Sequence, residues 1–131
     1  MANRSSGRKA ALPRAGRIQA HIRGVGMTLP AADADYARLK LERSLGRFAG
    51  AIERASMRFE DINGSRGGVD KLCRVKVVLP GLPTVLVEER HRSLRAAVDV
   101  ALERTKRAVR RSVQRRRTQP RTRIARARAT A

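Results

Sequence analysis

Apolar and polar residues change period along this chain, and each change marks an element. Ile18, Ala20 and Ile22 alternate with Gln19, His21 and Arg23. That is the two-residue period of a half-buried strand, so residues 17–23 are predicted as a strand, broken by Gly24 and Gly26. A helix is predicted from near Pro30, because proline suits the first helical turn and Asp33 and Asp35 complement the positive end of the helix dipole. Tyr36, Leu39, Leu41, Leu45 and Phe48 give it an imperfect apolar stripe, and Gly50 is the predicted end.

From residue 52 the period returns to two. Ala55, Met57 and Phe59 alternate with Arg54, Ser56, Arg58 and Glu60, which predicts a strand to about Asp61. Asn63-Gly64-Ser65-Arg66-Gly67-Gly68 is a turn signal. Cys73, Val75, Val77 and Leu79 against Arg74 and Lys76 predict a third strand over 71–79. Pro80-Gly81-Leu82-Pro83 closes it, and a valine-rich fourth strand follows over 84–89. Residues 52–89 thus read as an antiparallel meander.

The last helix is predicted to start at the capping residue Ser93. Leu94, Val98, Ala101, Leu102, Thr105, Ala108, Val109 and Ser112 form one stripe of 3.6-residue period. Arg104, Arg107, Arg111 and Arg115 line one flank of it, and Lys106, Arg110 and Arg117 the other. Arg116 would fall on the stripe itself, so the helix is expected to have left the core there, and Pro120 ends it. The predicted fold is α+β, of order β-α-β-β-β-α, a four-stranded sheet with two helices on one face. The other sheet face carries Arg54, Arg58, Arg74 and Lys76 and is expected to stay wet.

A length of 131 residues bounds this to one domain. Residues 1–16 lack periodicity and are predicted as a disordered basic arm, 17–117 as the folded domain and 118–131 as a disordered basic tail. With one cysteine no internal disulfide is available, which favours a reducing compartment. No apolar run reaches the ~20 residues of a membrane span, and the first residues lack the apolar segment of a secretion signal, although an Arg-rich, acid-free start also fits an organelle transit peptide. A cytoplasmic location is expected.

Candidate chemistry is sparse. His21 and His91 have no cysteine at metal-ligand spacing. Cys73 alternates with Val75 and reads as a buried small hydrophobe. Asp61 and Asp70 bracket a Gly-rich loop that fits no calcium pattern, and Gly67-Gly68 lacks the Lys-Ser/Thr of a phosphate loop. No metal, cofactor or small-molecule substrate is expected, and the chain is read as a binding protein and not an enzyme.

Charge changes the picture most. The net charge is +20, and it sits mainly at the two ends. No acid precedes Asp33 and none follows Glu103, so the middle is nearly balanced. A helix kept only for solubility would mix signs, whereas the stretch from Arg104 to Arg117 is cationic throughout. Phosphate binding explains that better than a solvated face. Unstacked bases are read by aromatic side chains, and with Tyr36, Phe48 and Phe59 the only aromatics, recognition of backbone and shape is favoured. The arms alone would equally suit a non-specific DNA-binding or transcription-modulating protein.

Three stretches resemble the ribosome hibernation-promoting factors, also called ribosome-associated inhibitors or sigma-54 modulation proteins. They are Arg23-Gly24-Val25-Gly26-Met27-Thr28-Leu29 leading into the helix with Tyr36 and Lys40; Cys73 to Gly81 with the valine-rich strand after it; and Ser93-Leu94-Arg95-Ala96-Ala97-Val98-Asp99-Val100-Ala101 with the basic helix beyond. The likeness spans about Arg17 to Arg115. It implies a double-stranded-RNA-binding-like domain that sits in the mRNA and tRNA channel of the small ribosomal subunit, contacts ribosomal RNA and blocks translation under stress. Carried over by position, the RNA contacts would be Lys40, Arg43 and Arg47 on the first helix and Arg104, Arg107, Arg111 and Arg115 on the second. The chain departs from the family pattern at Arg95, where Tyr is frequent, at Lys106, where Glu is frequent, and at Asp33 and Ala34, where Leu and Arg are usual. It also ends without the second domain that pairs ribosomes in the long family form, so it is not expected to pair them that way.

Overall fold

The computed structural model describes residues 18–62 and 71–118. The predicted basic arm, the turn at 63–68, Asp70 and the predicted tail beyond 118 lie outside them. The elements are β1 (Ala20–Val25), α1 (Ala31–Leu45), a 3-10 helix (Gly46–Ala51), β2 (Arg54–Asp61), β3 (Lys71–Val78), β4 (Val85–His91) and α2 (Leu94–Thr118). The predicted α+β order is the observed one, with both helices packed against one face of the four-stranded sheet.

The strands lie in the order β1-β2-β3-β4. β2, β3 and β4 form the predicted antiparallel meander, and β1 pairs parallel to β2, with Ala20 opposite Ala55 and Ile22 opposite Met57. Antiparallel pairing at each of two steps leaves β4 running the same way as β1 and β2. Both helices follow strands of that one direction, so they run side by side in parallel. Their contacts show it: Asp33 meets Arg95 near the helix starts, Tyr36 meets Asp99 further along, and Arg47 and Arg110 share a groove near the ends.

Strict alternation builds the core. Ala55, Met57 and Phe59 of β2, Cys73, Val75 and Val77 of β3, and Val85 and Val87 of β4 are buried against the helices. α2 supplies Val98, Ala101, Leu102 and Val109 from its predicted stripe, and Ala97 and Val113 beside it. Thr105 is fully buried there, and its hydroxyl donates to the Ala101 carbonyl at 2.7 Å, the i−4 bond that lets a polar residue sit in a helix core. The Ser93 hydroxyl accepts the Ala96 amide proton at 3.2 Å, confirming the predicted cap.

The first helix begins near Pro30 as predicted: Pro30 stands just outside α1 in an extended conformation, with its carbonyl accepting the Ala34 amide. Two local readings change. α1 ends at Leu45, and the segment up to Ala51 is wound as a 3-10 helix. A 3-10 turn has three residues where an α-turn has 3.6, so Phe48 and Arg47 leave the α-helical register that spacing implied. Leu39 faces solvent; α1 buries Ala37, Leu41 and Leu45 instead. α2, in contrast, outlasts its apolar stripe, carrying exposed Arg116 beyond Val113.

Glycine is required at Gly24 and at Gly81 for different reasons. A Cβ on Gly24 would lie 2.7 Å from the Met27 carbonyl oxygen, because the chain folds back tightly between β1 and α1. Gly81, in the β3–β4 turn, has φ +79, the left-handed region that L side chains avoid.

Candidate nucleic-acid interface

α2 lies between α1 and the outer edge strand β4, so its two cationic flanks face different neighbours. Arg104, Arg107, Arg111 and Arg115 line a groove of about 440 Å³ along β4, where Thr84 and Leu86 form the opposite wall. Helical spacing predicted that these four share a side, and the fold places them in one groove. They are not equivalent. Arg104 pairs with the Glu89 carboxylate and donates to the Glu88 carbonyl at 3.3 Å, which fastens it to β4. Arg107 pairs with Glu103 one turn back at 3.2 Å. Arg111 and Arg115 are exposed further along the helix. Acidic partners thus fasten the start of the groove, at Arg104 and Arg107.

The first-helix residues sit elsewhere. Lys40 is held by Asp99 of α2 at 3.6 Å and lies 5.9 Å from the Tyr36 ring centre. Arg43 is exposed near the end of α1. Arg47, on the 3-10 segment, lies 5.9 Å from the Phe48 ring centre and lines a second groove, of about 490 Å³, with Arg110 and Gln114 of α2. So the structure gathers the four α2 arginines of the prediction into one groove and disperses Lys40, Arg43 and Arg47 along the other side. Arg110 was not among the predicted contacts. Its partner Arg47 lies far off in sequence, and only parallel helix packing brings the two together.

The starts of the helices are clamped. Arg95 Nε donates to Asp33 Oδ1 at 2.8 Å, with the guanidinium 4.7 Å from the Tyr36 ring centre. The Tyr36 hydroxyl donates to Asp99 Oδ1 at 2.7 Å. That bond and burial push the Tyr36 phenol above its ordinary value of 10.0, and the nearby Arg95 charge opposes them. The Cys73 thiol is wholly buried, and loss of hydration pushes it up to about 12. It is the inert core residue that alternation indicated.

Among the described residues no group of His, Cys, Asp and Glu could hold a metal ion, and no helix is long and apolar enough to cross a membrane. What the surface offers chemically is a set of guanidinium groups on two sides of α2, suited to phosphate oxygens at several points at once.

Comparison with known proteins agrees with this geometry. The ribosomal subunit interface protein of Coxiella burnetii superposes with a TM-score of 0.60 at 18% identity, covering 70% of this chain and 92% of that one, a likeness of fold. The N-terminal domain of Thermus thermophilus Protein Y superposes with a TM-score of 0.56 at 30% identity, covering 72% of this chain and 97% of that one. Comparison with curated protein sequences returns no match. Residues 20–117, nearly the whole described domain, match the family described as sigma 54 modulation protein / S30EA ribosomal protein. The chain belongs to that family.

Proposed function

We propose that this protein associates with the ribosome and inhibits translation by occupying the mRNA and tRNA channel of the small subunit, bound to ribosomal RNA. One observation carries the reading: Arg104, Arg107, Arg111 and Arg115 line a single groove beside β4, in a domain whose family is named for a ribosomal protein. Backbone phosphates fit such a row, since guanidinium groups grip phosphate oxygens bidentately without reading bases. Lys40, Arg43 and Arg47 add contacts on the α1 side. The role is that of a binding protein: it obstructs by position and performs no chemistry. A channel in the decoding region places the protein in the cytoplasm.

The test is co-sedimentation with ribosomes across a salt series. If about six to ten phosphates are neutralised, affinity falls by about 10³–10⁵ between 50 and 200 mM salt. A protein that stays at the top of the gradient at every salt concentration would refute the proposal. The alternative of non-specific duplex DNA binding separates by competition. A ribosome-associated factor keeps its place on small subunits against a large excess of duplex DNA, and a chemical footprint on the ribosomal RNA locates it.

A further inference from the structure

The outer face of the sheet, away from both helices, has its own charge pattern. Strand register sets Arg23 of β1 directly opposite Arg58 of β2, and Arg58 directly opposite Arg74 of β3, with Glu88 of β4 next in the row. The neighbouring row runs His21, Ser56, Lys76, Leu86. Like charges directly opposite on adjacent strands repel and destabilise a sheet, so three arginines side by side need a reason. Two acids only partly supply it: Glu88 pairs with Arg74, and Glu60 lies 3.6 Å from Arg58 Nε. At that distance Arg58 Nε makes no hydrogen bond, and it is a buried donor without an acceptor. A buried donor of this kind leaves hydrogen-bonding capacity in the row that Glu60 does not use. Arg23 and Lys76, both exposed, have no acid against them. Arg23, Arg58, Arg74 and Lys76 border one concavity of about 390 Å³.

We propose that this face is a second phosphate-binding surface, which holds the backbone of an RNA strand across Arg23, Arg58, Arg74 and Lys76, opposite the α2 groove. Charge complementarity selects a polyanion. The arginine row crosses three strands, about 10 Å at the usual strand spacing, which suits successive phosphates of one backbone better than a single compact anion. The binder needs no aromatic platform, and the face has none: Leu86 is its exposed apolar side chain. The domain would then grip RNA from two sides, with the sheet as a second clamp. This inference does not depend on the ribosomal reading, because it concerns the opposite face and any RNA backbone.

The experiment is amide-shift mapping of the full chain by NMR as a short RNA duplex is titrated in at low salt, together with the salt dependence of binding. Expected are two clusters of shifted amides, one along α2 and β4, the other at Arg23, Ser56, Arg58, Arg74 and Lys76. The double variant Arg23→Gln/Lys76→Gln removes two cations that hold no partner of the fold. It should lose the sheet cluster, keep the α2 cluster, and lower the slope of log affinity against log salt by about two. The variant Arg107→Gln/Arg111→Gln should do the reverse, so failure of either face is seen separately. Absence of sheet-face shifts in the wild-type protein, or an unchanged slope in the Arg23→Gln/Lys76→Gln variant, would overturn the proposal.

Discussion

Arg95 Nε donates a hydrogen bond of 2.8 Å to Asp33 Oδ1, joining the first turn of α2 to the first turn of α1. Both residues stand where the family resemblance leads one to expect others. In this chain the two meet: the cation of Arg95 has its carboxylate partner one helix away, at Asp33. Arg95 also covers the Tyr36 ring, at 4.7 Å from its centre, which retains some of the packing an aromatic would provide.

A double-mutant cycle on Asp33 and Arg95 should give a coupling of about 0.2–1 kcal/mol, the range of solvent-exposed ion pairs. Raising salt should shrink it. Arg95→Tyr in the Asp33→Leu background should recover stability lost in either single change. Urea unfolding of the four proteins measures both effects; zero coupling at low salt would show that the pair forms without consequence.

Replacing Tyr36 with Phe removes only the hydroxyl that Asp99 accepts. The loss should be about 0.5–1 kcal/mol, the low end for a hydrogen bond because water reaches this one. The same bond fixes an alkaline signature. A phenol raised above 10.0 in the folded protein stabilises the fold fully at pH below the unfolded value and loses that contribution as pH climbs through the raised value. Wild-type stability should fall faster than that of the Tyr36→Phe variant above about pH 10, and parallel curves in a pH series of melts would contradict it.

Cys73 has the same sign by a different cause. Burial raises the thiol to about 12, so the protonated form stabilises the fold below the ordinary thiol range, and that contribution is lost as pH rises toward the folded value. At about pH 8, where an exposed cysteine reacts readily with a disulfide reagent, Cys73 should react only as fast as the domain opens. Labelling at the rate of an unfolded control would place the thiol outside the core.

The sequence reveals those features that depend on a period. Alternation through Cys73, Val75 and Val77 assigned each residue of β3 to its face, and the stripe from Leu94 to Ser112 placed the α2 arginines on one flank. Spacing is blind to what meets across space. Nothing in residues 20–25 announces that β1 pairs parallel with β2, since a strand's own alternation is the same for either neighbour. The pairing of Lys40 with Asp99, and of Arg104 with Glu89, joins residues of different elements, and the spacing along the chain shows neither. The end of α1 was misjudged for a local reason: Gly50 is a plausible stop, but the turn had already tightened at Gly46.

Gly24→Ala should be costly although its backbone is ordinary. The new Cβ meets the Met27 carbonyl oxygen at 2.7 Å and the Met27 Cγ at 3.3 Å. A backbone atom cannot swing aside, so the β1–α1 connection must shift. Overpacking of this kind costs about 1–3 kcal/mol, which for a domain near 100 residues lowers Tm by at least about 4 °C. Gly50, with open space at its Cβ position, is the control, and equal melting of both variants would show that the connection yields freely.

The cations of α2 and those after it should differ in what they do. Arg111 has no acid within its helix turn, unlike Arg104 with Glu89 and Arg107 with Glu103, so Arg111→Gln changes binding with little effect on the fold. Its Tm should stay within the range of surface changes, about 0.5 kcal/mol, while the salt slope of ribosome binding falls by about one. Arg111→Glu should weaken binding further, because it also repels the phosphates. Truncation after Arg117 removes Arg121, Arg123, Arg126 and Arg128. Such charges add affinity for any polyanion, so the truncated protein should bind ribosomes and duplex DNA more weakly by similar factors. Competitive sedimentation measures the ratio. A truncation that altered the preference, or an Arg111→Gln variant indistinguishable from wild type in its salt slope, would move the specific contacts from the helix to the tail.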